Sequence, residues 1–219
     1  MIKVLLVDDQ AVVRAGYRVL LEDAGDIEVV GEASNGPSAV TAAARLAPDV
    51  ICMDVRMPGG DGLAATRQII ADREGETPAV LVVTTFDLDE YVFGALEAGA
   101  SGFILKDCEP EELIDAIRQL AAGKGLVDQA VTHRVITEFA KRRRRAEADP
   151  ETAESLTTRE KEIVQLLAKG MSNAEIAQEL FVETSTVKSH LGRAMSKIGA
   201  RDRVQTVVWA YKNGLAETG

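Results

Sequence analysis

VICMDVRMPGGDG, residues 50–62, runs four apolar residues into a lone aspartate and then a Pro-Gly-Gly turn. Val50–Met53 is short and wholly apolar, which predicts a strand buried on both faces. A carboxylate at the mouth of such a strand costs desolvation free energy unless a cation or donor meets it. Asp54 is therefore either an exposed turn residue or the centre of a site.

Similar runs stand on both sides of it. Val4–Val7, Ile27–Val30, Val80–Val83 and Phe103–Leu105 are rich in β-branched and apolar residues and bounded by Asp, Gly or Pro. Helix-like stretches fall between and after them, near Ala11–Asp23, Ser38–Leu46, Leu63–Asp72, Asp89–Ala98 and Glu111–Ala121. Five such βα repeats predict an α/β fold, a five-stranded parallel doubly wound sheet with helices on both faces.

The rhythm changes in the last third. A further helix is predicted over Val127–Ala140, and then KRRRRAEADPETAES (residues 141–155) interrupts the apolar pattern as a basic linker. Beyond it, Thr157 with Glu160 and Ser172 with Glu175 have capping-box spacing, and Asp202 is placed to cap a last helix. Four short helices with tight connections predict a small all-α domain. The boundaries expected are 1–122, 123–152 and 153–217.

Charge follows the same division. The net charge of −10 is made of −13 over residues 1–140, +3 over 141–150 and zero over 151–219. Two domains with different tasks are implied, and nucleic-acid binding has to be judged domain by domain. Cys52 and Cys108 form no C-x-x-C, so a reduced compartment is expected, with Cys52 as a small core residue. The five-residue apolar run at the N-terminus is too short for a signal peptide, and no segment reaches membrane-spanning length. A soluble cytoplasmic protein with no membrane partner is expected.

The polar candidates of the first domain all sit at strand carboxyl ends: Asp8 and Asp9, Asp54, Thr84 and Lys106. In an open α/β sheet that is where sites form, at the point where strand order reverses. The order 2-1-3-4-5, taken over from known doubly wound sheets and not read from the residues, would bring Asp8, Asp9 and Asp54 together. Three clustered carboxylates repel unless a cation joins them, and an all-oxygen set suits Mg²⁺. A carboxylate held in this way is a nucleophile for phosphoryl transfer. The Lys106 ammonium and Thr84 hydroxyl are suitable donors to the phosphoryl oxygens.

VLLVDDQ, MDVRMPGGDG, VVTTFD and GFILKD together resemble the receiver domain of two-component response regulators over about residues 1–122. The resemblance implies that Asp54 is the phosphoacceptor of a sensor histidine kinase. It implies direct Mg²⁺ ligation by Asp9 and Asp54, ligation by Asp8 through water, and a further ligand from the Arg56 carbonyl. Thr84 and Phe103 fall on the family's switch positions, and Lys106 on its phosphoryl-gripping lysine. Phe103 replaces the tyrosine many receivers carry, so one hydroxyl of that switch is missing.

Residues 153–217, with STVKSH at their centre, resemble the LuxR-type helix-turn-helix, and the two parts together resemble the NarL/FixJ family. Val187, Leu191, Met195 and Ile198 share one helical face and are expected in the core. Thr186, Lys188, Ser189, Gly192, Arg193, Lys197 and Arg201 are the expected DNA-contact set. From Thr184 to Arg203, five cations stand against Asp202 alone, a local +4 that suits a helix in the major groove. Lys188 is expected at base edges, Lys197 and Arg201 at the backbone. Val204, Val207, Val208 and Tyr211 form an apolar stripe open to two readings, core or dimer face, and the resemblance favours the dimer. Glu183 stands where relatives place a Ser or Thr cap, and Gly192 where they often place a longer side chain. His190 has no second ligand nearby and is expected to pack.

The function expected is a phosphorylation-switched regulator that binds double-stranded promoter DNA as a homodimer, with RNA polymerase as a further partner. An aspartate-nucleophile phosphatase is the enzyme alternative, but it needs an acid two residues after its nucleophile, and Arg56 stands there. A DNA-binding regulator indifferent to phosphorylation is the other alternative, and the full acid, threonine and lysine set argues against it.

Overall fold

A computed structural model describes residues 1–58, 61–72, 77–85, 89–123 and 156–216. The chain divides into two compact units, Met1–Leu126 and Val127–Gly219. The helix predicted at Val127–Ala140 and the basic run Lys141–Arg145 lie outside the described residues.

The first unit alternates strand and helix: β1 (Ile2–Val7), α1 (Ala11–Asp23), β2 (Ile27–Ala33), α2 (Gly36–Leu46) and β3 (Val50–Met53). It continues with α3 (Gly62–Ala71), β4 (Ala79–Thr84), α4 (Asp89–Glu97), β5 (Gly102–Leu105) and α5 (Pro110–Ala121). The sheet order is β2-β1-β3-β4-β5, parallel at every pair. The doubly wound sheet is therefore as expected, with strand order reversing between β1 and β3.

Burial explains the strand patterns. All four residues of β3 are buried, as are the last four of β1, because both are interior strands covered on both faces. Edge strand β2 instead alternates, and it runs three residues beyond the predicted Ile27–Val30. The register slips between Val4 and Leu5, whose partners are Val29 and Gly31, so Val30 is passed over. Sequence periodicity cannot follow a strand through such an irregularity.

Val4, Leu6, Val50, Cys52, Leu81 and Val83 form one core with Leu21 of α1 and Leu113, Ala116, Ile117 and Leu120 of α5. The α5 residues recur at three- and four-residue steps, giving one apolar stripe. Each fully buried Leu or Ile contributes about 1.5–3 kcal/mol relative to exposure. Cys52 lies in this core, and burial pushes its thiol up to about 12, so it stays protonated.

The second unit has α6 (Thr158–Ala168), α7 (Asn173–Glu179), α8 (Thr184–Ile198) and α9 (Arg203–Lys212). Both capping boxes form, Thr157 with Glu160 and Ser172 with Glu175, and Asp202 accepts the Gln205 amide at 2.8 Å. Glu183 starts α8 with no side-chain cap. Gly199 ends it at φ +67°, where a side chain would be strained. The buried face of α8 is Val187, Leu191 and Ala194, whereas Met195 and Ile198 are only half-buried.

Here the structure corrects the expected dimer face. Val204, Val207, Val208 and Tyr211 are 1%, 5%, 4% and 3% exposed, all inside the unit itself. The Tyr211 hydroxyl donates to the Ala168 carbonyl at 2.9 Å, tying α9 to α6. Four short helices enclose a small core, and the apolar stripe of α9 is needed to close it.

Candidate functional site

Three strands of the first unit, β1, β3 and β5, are followed by a residue whose amide continues the sheet ladder. The Asp8 amide donates to Ala33, Asp54 to Val7, and Lys106 to Thr84, at 3.1, 2.8 and 2.9 Å. The sheet ladder thus fixes the backbone of three predicted site residues. The carboxylates of Asp8, Asp9 and Asp54 come within 4.8 Å of one another. Asp8 and Asp54 are buried and Asp9 is half-exposed. Lys106 reaches in from the end of β5, its Nζ 2.5 Å from Asp8 Oδ2 and 2.8 Å from Asp54 Oδ2.

Electrostatics set the character of this cluster. The pKa of the Asp54 carboxyl is raised: burial is the largest influence, the Lys106 ammonium acts against it, and the Asp8 charge adds to the rise. Burial acts to lower Lys106, but its bonds to Asp54 and Asp8 outweigh this and leave it raised, hence firmly cationic. One ammonium faces three carboxylates. Oxygen donors at this density fit a hard divalent cation.

Around the cluster, Thr84 ends β4 fully buried, Phe103 is buried in β5, and the Arg56 side chain is exposed. Asp9, Arg56, Met57, Pro58 and Asp61 line an open pocket beside the acids. Two residues escaped the sequence reading. Gly62 packs its α-carbon against the Asp54 main chain, and its amide donates to the Val55 carbonyl at 3.0 Å. Arg14 donates from Nη1 to the Asp8 carbonyl at 2.7 Å and from Nε to Glu32 Oε2 at 2.9 Å, clasping the acid-bearing turn to β2. The glycine of PGGDG signalled the first; no sequence signal marks the second.

The second site lies on α8. Lys188, Ser189, Gly192, Arg193, Ser196 and Lys197 are exposed along one side and line an open groove with Thr157 and Glu160. Thr186 is half-buried. Arg193 Nη2 donates to Ser189 Oγ at 3.0 Å, which lays the guanidinium along the helix surface.

Three of the five cations counted there are used inside the unit. Lys197 Nζ is 2.6 Å from Glu160 Oε2. Arg203 donates from Nη2 to the Met171 carbonyl and from Nη1 to Asn173 Oδ1. Arg201 buries Nη1 and Nη2 without a hydrogen-bond partner, its Nε lying 3.7 Å from Asp202 Oδ2. Lys197 and Arg201, the two cations expected at the DNA backbone, thus lie beside Glu160 and Asp202 respectively. Among the five, Lys188 and Arg193 remain outward. His190 packs as expected, half-buried with Nδ1 enclosed.

Known proteins resemble this chain over both units. Residues 4–118 match the response regulator receiver domain, and residues 154–210 the bacterial regulatory proteins of the luxR family. The transcriptional regulatory protein LiaR of Bacillus subtilis is 43% identical, covering 98% of this chain and 99% of its own. The transcriptional regulatory protein YxjL of the same organism is 42% identical over 99% and 98%. Among solved structures, the response regulator ChrA of a heme-sensing two-component system aligns over 98% of both chains. Its TM-score is 0.51 at 36% identity. Among the described residues no helix is long and apolar enough to cross a membrane.

Proposed function

The chain belongs to the response regulators that join a receiver domain to a LuxR-type DNA-binding domain, and from that premise we propose that Asp54 accepts a phosphoryl group from a sensor histidine kinase. The observation that carries this is the Lys106 ammonium set between the Asp8 and Asp54 carboxylates at a cluster of three acids. An Asp54 oxygen attacks the phosphorus of the kinase phosphohistidine. The new O–P bond forms as the P–N bond breaks, and its electron pair returns to the imidazole. Lys106 transfers its hydrogen bond from Asp54 to a phosphoryl oxygen, and the Thr84 hydroxyl donates to another.

Asp8, Asp9, Asp54 and the Arg56 carbonyl would hold Mg²⁺, which when bound supplies positive charge against the incoming phosphoryl oxygens. Thr84 and Phe103 carry the switch, without the hydroxyl a tyrosine would bring.

The output is promoter binding in the cytoplasm, with Lys188 at base edges and Arg193 at the backbone. With no side chain at Gly192, one copy of α8 reads a half-site weakly, which supports action as a dimer. The dimer contact is not the α9 stripe, which is core. RNA polymerase is the further partner proposed at the promoter.

Incubation with acetyl phosphate and Mg²⁺ followed by mass measurement tests the first step. The wild-type chain gains one phosphoryl group and Asp54→Ala gains none. Equal labelling of the variant would overturn the assignment.

A further inference from the structure

The recognition surface has a fastening the sequence did not reveal. Glu160 is the third residue of α6, and its Oε2 accepts both the Thr157 amide at 2.8 Å and Lys197 Nζ at 2.6 Å. The Glu160 side chain is 3% exposed and that of Lys197 36%. Lys197 is the last residue but one of α8, so the pair joins the C-terminal end of α8 to the N-terminal end of α6.

That end of α8 is the one apolar packing holds least. Val187, Leu191 and Ala194 anchor the first three turns, but Met195 and Ile198 are only half-buried. The N-cap offers no side-chain bond that would compensate. Without the ion pair, α8 would be free to pivot about its buried stripe and swing the face that carries Lys188 and Arg193.

We propose that Lys197 is a positioning residue, locked by Glu160 and making no contact with DNA phosphate, and that this lock sets how α8 is presented. The proposal rests on reading α8 as the DNA-contacting helix. Two consequences differ from those of a surface lysine. A phosphate contact releases counterions, so each one adds about 0.9 to the slope of log affinity against log salt. A lysine already neutralised by Glu160 adds nothing to that slope, while its loss lowers affinity by the same factor at every salt concentration.

The experiment titrates the full-length chain with a random-sequence duplex across a salt series, for wild type, Lys197→Met, Lys197→Arg, Glu160→Gln, Lys188→Met and Arg193→Met. Lys197→Met should weaken binding several-fold at every salt with the slope unchanged, and Lys197→Arg should recover wild-type affinity by restoring the pair. Glu160→Gln keeps a capping side chain but frees the ammonium. Its slope should be equal to that of wild type or steeper by about one contact. Arg193→Met should flatten the slope by about 0.9, whereas Lys188→Met, whose contact is to base edges, should leave it unchanged on random sequence. A slope flattened by Lys197→Met, or by Glu160→Gln, overturns the proposal. Should Arg193→Met leave slope and affinity untouched, it is the reading of α8 itself that fails. Thermal melting of each variant shows that the comparison is between folded proteins. If Lys197→Met does not fold, the Glu160→Gln and Lys197→Arg pair decides.

Discussion

A β-carbon placed on Gly62 would lie 1.9 Å from the carbonyl oxygen of Asp54. The start of α3 and the main chain of the acid-bearing turn are thus in backbone contact, with no room for a methyl group between them. The listless look of PGGDG as a mere turn hides this constraint.

Gly62→Ala is therefore expected to force α3 away from Asp54. The obstructing atoms are backbone, so no side chain can rotate to relieve the clash. Overpacking of this kind costs about 1–3 kcal/mol, and the displaced Asp54 should accept phosphate more slowly. Thermal melting and the rate of labelling by acetyl phosphate check both effects. A variant with wild-type stability and rate would contradict the contact.

Lys106→Met tests the ammonium between the acids. Its removal leaves the carboxylates of Asp8 and Asp54, 5% and 7% exposed, facing each other without their shared cation. The variant should melt lower than wild type without Mg²⁺ and be stabilised more by adding it, since no ammonium then competes for the carboxylates. Phosphorylation should nonetheless be slower, because the donor to the phosphoryl oxygen is gone. Melting curves with and without Mg²⁺, beside labelling rates, separate the two effects. Equal Mg²⁺ stabilisation of both proteins would count against the competition.

Much of this site was legible because strand ends are local features. Asp8, Asp54 and Lys106 each follow an apolar run, and a parallel sheet gathers such residues at one edge. Gly62 against Asp54 was not legible, since it depends on how closely a helix approaches a turn. The Glu160–Lys197 pair spans 37 positions, and a charge count gives no weight to a partner so distant. Periodicity drew the Val204, Val207, Val208 and Tyr211 stripe correctly but could not say which surface covers it. The α6 helix covers it at Tyr211.

The same ion pair gives a pH dependence with a definite sign. Burial alone would raise the Glu160 carboxyl, but Lys197 and the Thr157 amide hold it down, from 4.5 to about 2. A carboxyl depressed in the folded state stabilises the fold above its unfolded pKa, and that contribution fades as pH falls. The loss should therefore begin near pH 4.5 and continue toward about pH 2. Stability of wild type and Glu160→Gln, measured through this window, should converge as the wild-type carboxylate protonates. A difference between them that stays constant with pH would show that Glu160 is not depressed.

Val208→Asp is the substitution on which the two accounts of α9 part. Were the stripe a dimer face, the variant would remain folded and lose only its partner. Val208 is 4% exposed within a unit closed by Val204, Val207 and Tyr211. An aspartate there would be a buried charge, at a cost of several kcal/mol. The chain has one tryptophan, Trp209, on this same helix, half-buried and so a local reporter. Its emission in Val208→Asp should shift to the red at temperatures where wild type is folded. Labelling of Asp54 by acetyl phosphate should persist, since the acids lie in the other compact unit. A variant with unshifted Trp209 emission that merely elutes later from a sizing column would restore the stripe to a dimer interface.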